Sequence, residues 1–125
     1  MTVTFSNHMA RPQRVRWYLH PDYTVGGVAD NTVDELHLPD AKGGILVLPF
    51  WNGLGERNTP ESQAGWWQVT DQKKGTTLRQ EFSDADFPPP RIWFGDGGYN
   101  LEMKTRFHTL RPGDSRTVRL SWEIR

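Results

Sequence analysis

The sequence contains no cysteine among its 125 residues. This absence excludes disulfide bonds, thiol catalysis and cysteine-ligated zinc, although it does not identify a cellular compartment. No apolar run is long enough to cross a membrane, because the longest, residues 45–51, is interrupted by Pro49. Neither charge is in excess, since 15 basic residues balance 15 acidic ones. We therefore expect neither a generic nucleic-acid surface nor a polybasic membrane patch.

Metal and nucleotide motifs are also missing. The four histidines lack the paired spacing of a zinc site, and the acidic bias of residues 22–40 matches no calcium loop. A nucleophile elbow and a P-loop are absent, so neither a metal nor a cofactor is expected. Residues 1–5 already alternate as a strand does and do not resemble a signal peptide. These features favour a cytoplasmic bacterial protein, or a domain of a longer protein.

The pattern that is present is a two-residue alternation near the end of the chain. Apolar and polar residues alternate over 99–107, and again over 118–124 after a turn that contains Pro112 and Gly113. Successive side chains of a strand point to opposite faces, so this pattern predicts a long antiparallel hairpin with one dry face. Such a face must be covered by another layer, and a hydrophobic core then forms between the two layers. Trp17 and Trp122 are predicted to belong to this core.

The whole chain, residues 1–125, is predicted to form a single all-β domain, an antiparallel β-sandwich of about nine strands. Residues 45–50 are apolar without alternation, which predicts a strand covered on both faces. The long connections at 20–27, 51–63 and 83–90 are predicted to carry function. The predicted strands are 2–6, 13–19, 32–38, 45–50, 65–70, 76–82, 91–94, 99–107 and 118–124.

Two adjacent tryptophans provide the first functional hypothesis. Trp66 and Trp67 fall in one predicted strand and must face opposite sides, so one of them lies outside the core. An outward indole can stack on the apolar face of a sugar ring. A neighbouring loop or a second subunit could equally cover it. Trp51 and Trp93 allow the same two interpretations.

Two titratable residues are candidates for proton transfer or hydroxyl binding. His20 ends a predicted strand that also carries Arg16, and such a histidine can bind a ligand hydroxyl or act as a general acid. It could instead bond a loop carbonyl. Glu102 lies beside Lys104 and Arg106 on a polar strand face, where it could act as a base or simply join surface ion pairs.

Both ends of the chain resemble galactose mutarotase-like proteins. In that family a strand ending in Asn leads through a turn to a strand ending in His-Pro, as residues 3–7, 11–15 and 18–21 do here. Residues 99–102 and 110–122 resemble the closing hairpin of the same group.

The resemblance implies a supersandwich fold, of which this chain corresponds to the later half only. Members bind sugars in a groove across one sheet, and the catalytic ones use a His as acid and a Glu as base. The family pattern would give His20 a sugar-contacting position and Glu102 the role of base. The middle of the chain, residues 51–90, matches nothing in the family.

The leading hypothesis is a domain that binds a mono- or oligosaccharide. The sugar would stack on Trp51, Trp66, Trp67 or Trp93, and His20, Arg16 and Glu102 would hydrogen-bond its hydroxyls. If the protein is an enzyme, it would be an isomerase of the aldose epimerase type, with His20 as acid and Glu102 as base.

The alternative hypothesis belongs to another class. It is a non-catalytic accessory or assembly domain that buries its exposed aromatics in a homodimer or against another domain.

Overall fold

The chain is built almost entirely of antiparallel strands. The structure, a computed structural model, describes residues 1–25, 33–49, 55–57, 65–95 and 98–125. These ranges contain thirteen strands and no α-helix. The strands are β1 (Thr2–Ser6), β2 (Gln13–Val15), β3 (Tyr18–Leu19), β4 (Asp22–Tyr23), β5 (Asp34–Pro39), β6 (Ile45–Pro49), β7 (Gly55–Arg57), β8 (Trp66–Asp71), β9 (Thr77–Phe82), β10 (Arg91–Gly95), β11 (Gly98–Lys104), β12 (His108–Leu110) and β13 (Ser115–Ile124).

Two main sheets form the layers. The six-stranded sheet has the order β1-β13-β9-β8-β5-β6, and the five-stranded sheet includes β3-β11-β10-β7 with β4 also pairing β11. A short ladder between β12 and β2 completes the pairing, and every pair is antiparallel. The all-β sandwich-like fold predicted from the alternation is confirmed, although short extra strands raise the count above nine.

The core lies between the inner faces of these two sheets. Leu36 and Trp67 of the six-stranded sheet and Leu101 and Met103 of the five-stranded sheet belong to one fully buried cluster. Along β5 and β8, buried residues alternate with partly exposed ones, as expected for strands that have one covered face. Burial of these large side chains is the main stabilising contribution.

The two adjacent tryptophans do face opposite sides. Trp67 is fully buried, and its indole N–H donates to the side-chain oxygen of Gln80 at 2.5 Å. Trp66 lies on the outer face, where the guanidinium of Arg79 sits 4.3 Å from the centre of its ring. The predicted two-residue period of this segment is therefore confirmed.

The long hairpin predicted near the end of the chain is wrong. β11 pairs with β10, β3 and β4, whereas β13 pairs with β1 and β9 in the other sheet. Alternation identifies the dry face of a strand but not its partner. The chain leaves the strand after Lys104, where the Thr105 hydroxyl accepts the backbone N–H of Trp17 at 2.9 Å. Phe107, predicted on the dry face, is exposed as a result.

Two further predictions are corrected. Residues 45–49 form β6 at the edge of the six-stranded sheet, so Ile45 and Val47 are exposed rather than covered. Trp122 keeps 36% of its surface exposed, and its indole N–H donates to the Tyr23 hydroxyl at 3.1 Å. It therefore lies at the margin of the core.

The turn residues that carry the family resemblance have a structural role. The buried Asn7 side chain donates to the carbonyls of Arg11 and Leu110, each at 2.9 Å. Its backbone N–H donates to the Asp114 carbonyl, and its own carbonyl accepts from Gly113. Gly113 has a φ of 83°, which favours glycine. Asn7 thus holds two turns together.

Candidate functional site

The outer face of the five-stranded sheet brings His20 and Glu102 into contact. Antiparallel pairing of β3 with β11 sets Leu19 opposite Met103 and Tyr18 opposite Lys104. The next position along this register places His20 beside Glu102. The Nε2 atom of His20 lies 3.0 Å from Oε1 of Glu102. The two residues predicted as an acid–base pair therefore share one face.

Glu102 is surrounded by hydrogen-bond donors. Its second oxygen lies 3.4 Å from the Lys104 ammonium, and the Tyr18 hydroxyl also donates to the carboxylate. The Glu102 side chain is 16% exposed, whereas that of His20 is 52% exposed. The carboxylate is thus held within the face, and the imidazole projects towards solvent.

The charge on Glu102 is stabilised by these neighbours. Desolvation alone would raise the pKa of Glu102, but the hydrogen bonds from Tyr18 and Lys104 and the charges of Lys104 and His20 hold it below its ordinary value. Glu102 is therefore ionised at neutral pH. A carboxylate with a lowered pKa is a weak proton acceptor but a good acceptor of hydrogen bonds from hydroxyl groups.

Replacing Glu102 with glutamine tests this electrostatic environment. Because its pKa is lower in the folded than in the unfolded state, ionised Glu102 stabilises the fold above the ordinary carboxyl range. This contribution is lost as the pH falls through the lowered value. We expect Glu102→Gln to cost about 1 kcal/mol in urea unfolding at neutral pH, with the difference from wild type shrinking below about pH 4.

The matched control for this prediction is Glu81→Gln. Glu81 pairs with Arg79 on the exposed face of the other sheet, and surface pairs of this kind contribute little. A loss in Glu102→Gln that is equal at every pH would contradict the electrostatic explanation.

Trp93 and Arg91 extend the same face from the neighbouring strand. Arg91 of β10 is the register partner of Glu102, and Trp93 is the partner of Asn100. Cross-strand partners point to the same side of a sheet, and their Cβ atoms lie about 5 Å apart. Trp93 is 46% exposed. An exposed indole therefore stands one strand away from the His20–Glu102 pair.

The other predicted ligand-binding residues lie elsewhere. Trp67 is fully buried in the core and has no free ring face to offer a ligand. Trp66 is on the six-stranded sheet, and the Arg79 guanidinium lies over its ring. Arg16 lies over the Phe107 ring at 5.1 Å, beside Arg14. Trp51 is outside the described residues.

Asn100 is the member of the cluster that sequence reasoning missed. It is only 1% exposed, and its side-chain amide nitrogen lies 2.8 Å from Nδ1 of His20. The alternation of residues 99–104 already placed Asn100, Glu102 and Lys104 on one face. Contact with His20 could not be deduced, because it depends on the pairing of β3 with β11.

A cleft of about 500 Å³ lies on the six-stranded sheet, away from the candidate site, and is lined by residues that include Thr2, Glu81, Arg119 and Ser121. That cleft contains none of the predicted site residues. Across the described ranges, no group of three or more potential ligand side chains could hold a metal ion. Within the same ranges, no helix has the length and apolar character needed to span a membrane.

Comparison with known proteins identifies similar folds. The chain is similar to the Slr1438 protein from Synechocystis, with a TM-score of 0.69 and 14% identity, over 98% of this chain and 49% of that one. It is also similar to a galactose mutarotase-like protein from Clostridium acetobutylicum, with a TM-score of 0.61 and 14% identity, over 98% and 51% of the two chains.

A third solved structure extends the likeness. A TPR-domain containing protein from Parabacteroides distasonis matches with a TM-score of 0.65 and 10% identity, over 98% of this chain and 27% of that one. The chain spans about half the length of the Slr1438 protein and about half the length of the galactose mutarotase-like protein. No protein-family model and no curated protein matches the sequence. At these identities the likeness shows the fold, which is mutarotase-like.

Proposed function

We propose that the outer face of the five-stranded sheet binds a mono- or oligosaccharide. The observation that carries this proposal is the His20–Glu102 contact of 3.0 Å on the face that also exposes Trp93. The mutarotase-like fold of a solved neighbour supports a sugar as the ligand. We also propose that residues 1–125 act as one domain.

Each side chain of the face has a distinct task in this proposal. The exposed indole of Trp93 packs against the C–H groups of a sugar ring. Ionised Glu102 accepts hydrogen bonds from sugar hydroxyls, while His20 and Lys104 donate to sugar oxygens.

An aldose epimerase activity would use the same two residues. Glu102 would accept the proton of the anomeric hydroxyl while His20, doubly protonated as an imidazolium, gave its Nε2 proton to the ring oxygen. The C1–O5 bond would break to leave an open-chain aldehyde. Rotation about C1–C2 and the reverse transfers would then close the other anomer.

Catalysis requires a change in the geometry of the pair. The His20 imidazole and the Glu102 carboxylate contact each other directly. This contact must open to admit the anomeric hydroxyl and the ring oxygen of the sugar. The donors around Glu102 also weaken it as a base. Binding is therefore the leading proposal, and epimerase activity is a subordinate one.

The experiment that tests the proposal is a titration with monosaccharides. We expect saturable changes in tryptophan fluorescence for at least one common aldose, with a Kd roughly in the millimolar to micromolar range. Polarimetry on a fresh solution of a single anomer would reveal epimerase activity as faster mutarotation. A complete lack of response to monosaccharides and to oligosaccharides would contradict the binding proposal.

A second candidate function is assembly. The edge strand β6 exposes the apolar residues Ile45 and Val47, and an exposed strand edge can pair with another chain. The partner would be a second copy or another domain.

The mass of the protein in solution separates the two functions. A dimer whose fluorescence does not respond to sugars would favour assembly. A monomer whose fluorescence does respond would favour carbohydrate binding.

A further inference from the structure

We infer that Asn100 is a positioning residue that fixes the proton of the His20 imidazole on Nε2. This inference rests on the proposed function. The side-chain amide nitrogen of Asn100 lies 2.8 Å from Nδ1 of His20 and 3.4 Å from Nε2, and Nε2 lies 3.0 Å from Glu102. One imidazole is thus held at both nitrogens by two residues of β11.

The chemistry of the two partners determines the tautomer. An amide nitrogen can only donate a hydrogen bond, so Nδ1 accepts that bond when the His20 imidazole is neutral. In a neutral imidazole the proton is then on Nε2, where it is donated to the Glu102 carboxylate. In the opposite tautomer, two lone pairs would face each other at Nε2 and two N–H donors at Nδ1.

Asn100 is well placed to impose this choice. It is 1% exposed and lies in the middle of β11, where Trp93 of β10 and Asp22 of β4 are its register partners. A side chain held between two strands loses little further conformational freedom when it orients a neighbour. His20, in contrast, follows the short strand β3 and has a largely exposed side chain.

The fixed tautomer determines which sugar oxygens His20 can recognise. Nε2–H is a donor, so once its contact with Glu102 opens it can bind an oxygen that accepts without donating, such as the ring oxygen or a glycosidic oxygen. Glu102 beside it only accepts and therefore selects a hydroxyl. The pair together selects an acceptor oxygen next to a hydroxyl, which is the arrangement at C1 of an aldopyranose.

NMR of the ¹⁵N-labelled full chain tests the tautomer directly. At neutral pH we expect the His20 ring to show an unprotonated Nδ1 and a protonated Nε2, with the His20→Gln variant identifying its signals among the four histidines. In the nearly isosteric Asn100→Asp variant, the new carboxylate accepts a hydrogen bond, so we expect Nδ1 to become protonated. A residue with a merely structural role would alter stability without moving this proton.

Two results would overturn the inference. One is a wild-type His20 that carries a proton on Nδ1 at neutral pH, and the other is an unchanged Nδ1 signal in Asn100→Asp. The wild-type measurement needs no variant to fold and no sugar to bind.

Sugar affinity provides the functional arm of the test. We expect Asn100→Ala to weaken binding roughly threefold to tenfold, the loss associated with one oriented hydrogen bond. Unchanged affinity together with a scrambled tautomer would overturn the role in recognition. If the wild-type protein binds no sugar but shows the expected tautomer, the proposed function fails and the positioning of His20 by Asn100 stands.

Discussion

Replacing Trp93 with alanine is expected to weaken monosaccharide binding by roughly tenfold to a hundredfold. This range corresponds to about 1.5–3 kcal/mol, the contribution of apolar contact from one large side chain. The fold should be little affected, because Trp93 is 46% exposed. Fluorescence titration of the variant, read from its remaining tryptophans, or NMR titration would measure the change.

Trp122→Ala is the matched control for this prediction. Trp122 is similarly exposed, at 36%, but belongs to β13 in the other sheet. It should therefore leave sugar affinity unchanged. If Trp93→Ala binds as tightly as wild type, stacking on this indole is excluded and the sugar proposal loses its aromatic component. If both variants lose affinity equally, a general loss of structure is the better explanation.

Replacing Trp67 with alanine is expected to lower the free energy of unfolding by about 3–5 kcal/mol. Trp67 is fully buried between the sheets, and its ring packs edge-on against Tyr23 with centroids 5.2 Å apart. Removing it leaves a large cavity and deprives the buried Gln80 side chain of a partner. The free energy of unfolding of a domain is typically only about 5–15 kcal/mol, so the variant should be largely unfolded at 37 °C.

Two milder variants separate packing from hydrogen bonding. Trp67→Phe keeps an aromatic ring but loses the bond to Gln80, and we expect a cost of about 1–3 kcal/mol. Trp66→Ala removes the adjacent indole on the outer face, and surface changes of this kind usually cost less than about 1 kcal/mol. Equal losses in Trp66→Ala and Trp67→Ala, measured by urea unfolding, would contradict the burial described here.

The direct contact between His20 and Glu102 limits what the proposed site can do. The contacts that keep Glu102 ionised favour the binding of a hydroxyl, because an ionised carboxylate is a good hydrogen-bond acceptor. The same contacts disfavour catalysis, because they make the carboxylate a weaker base. A sugar hydroxyl can join the existing network by donating to Glu102, but a sugar oxygen that accepts from His20 must displace His20 from Glu102. A sugar that is to be opened must displace His20 from Glu102.

Local alternation was enough to predict several features of the molecule. It gave the boundaries of β1, the opposite orientations of Trp66 and Trp67, and the shared face of Asn100, Glu102 and Lys104. These features depend only on the geometry of an extended chain, in which successive side chains alternate. The all-β class follows from the same pattern repeated along the sequence.

Strand pairing decided the rest. Nothing in residues 99–104 specifies that β11 pairs with β3 and β10 rather than with β13, because backbone hydrogen bonds are the same for any partner. Yet that pairing brings His20 to Glu102 and sets Trp93 beside Asn100. It also leaves Trp93 exposed and moves Trp122 to the edge of the core. The local sequence determines which side chains share a face of a strand. The site depends in addition on which strands pair and in which register.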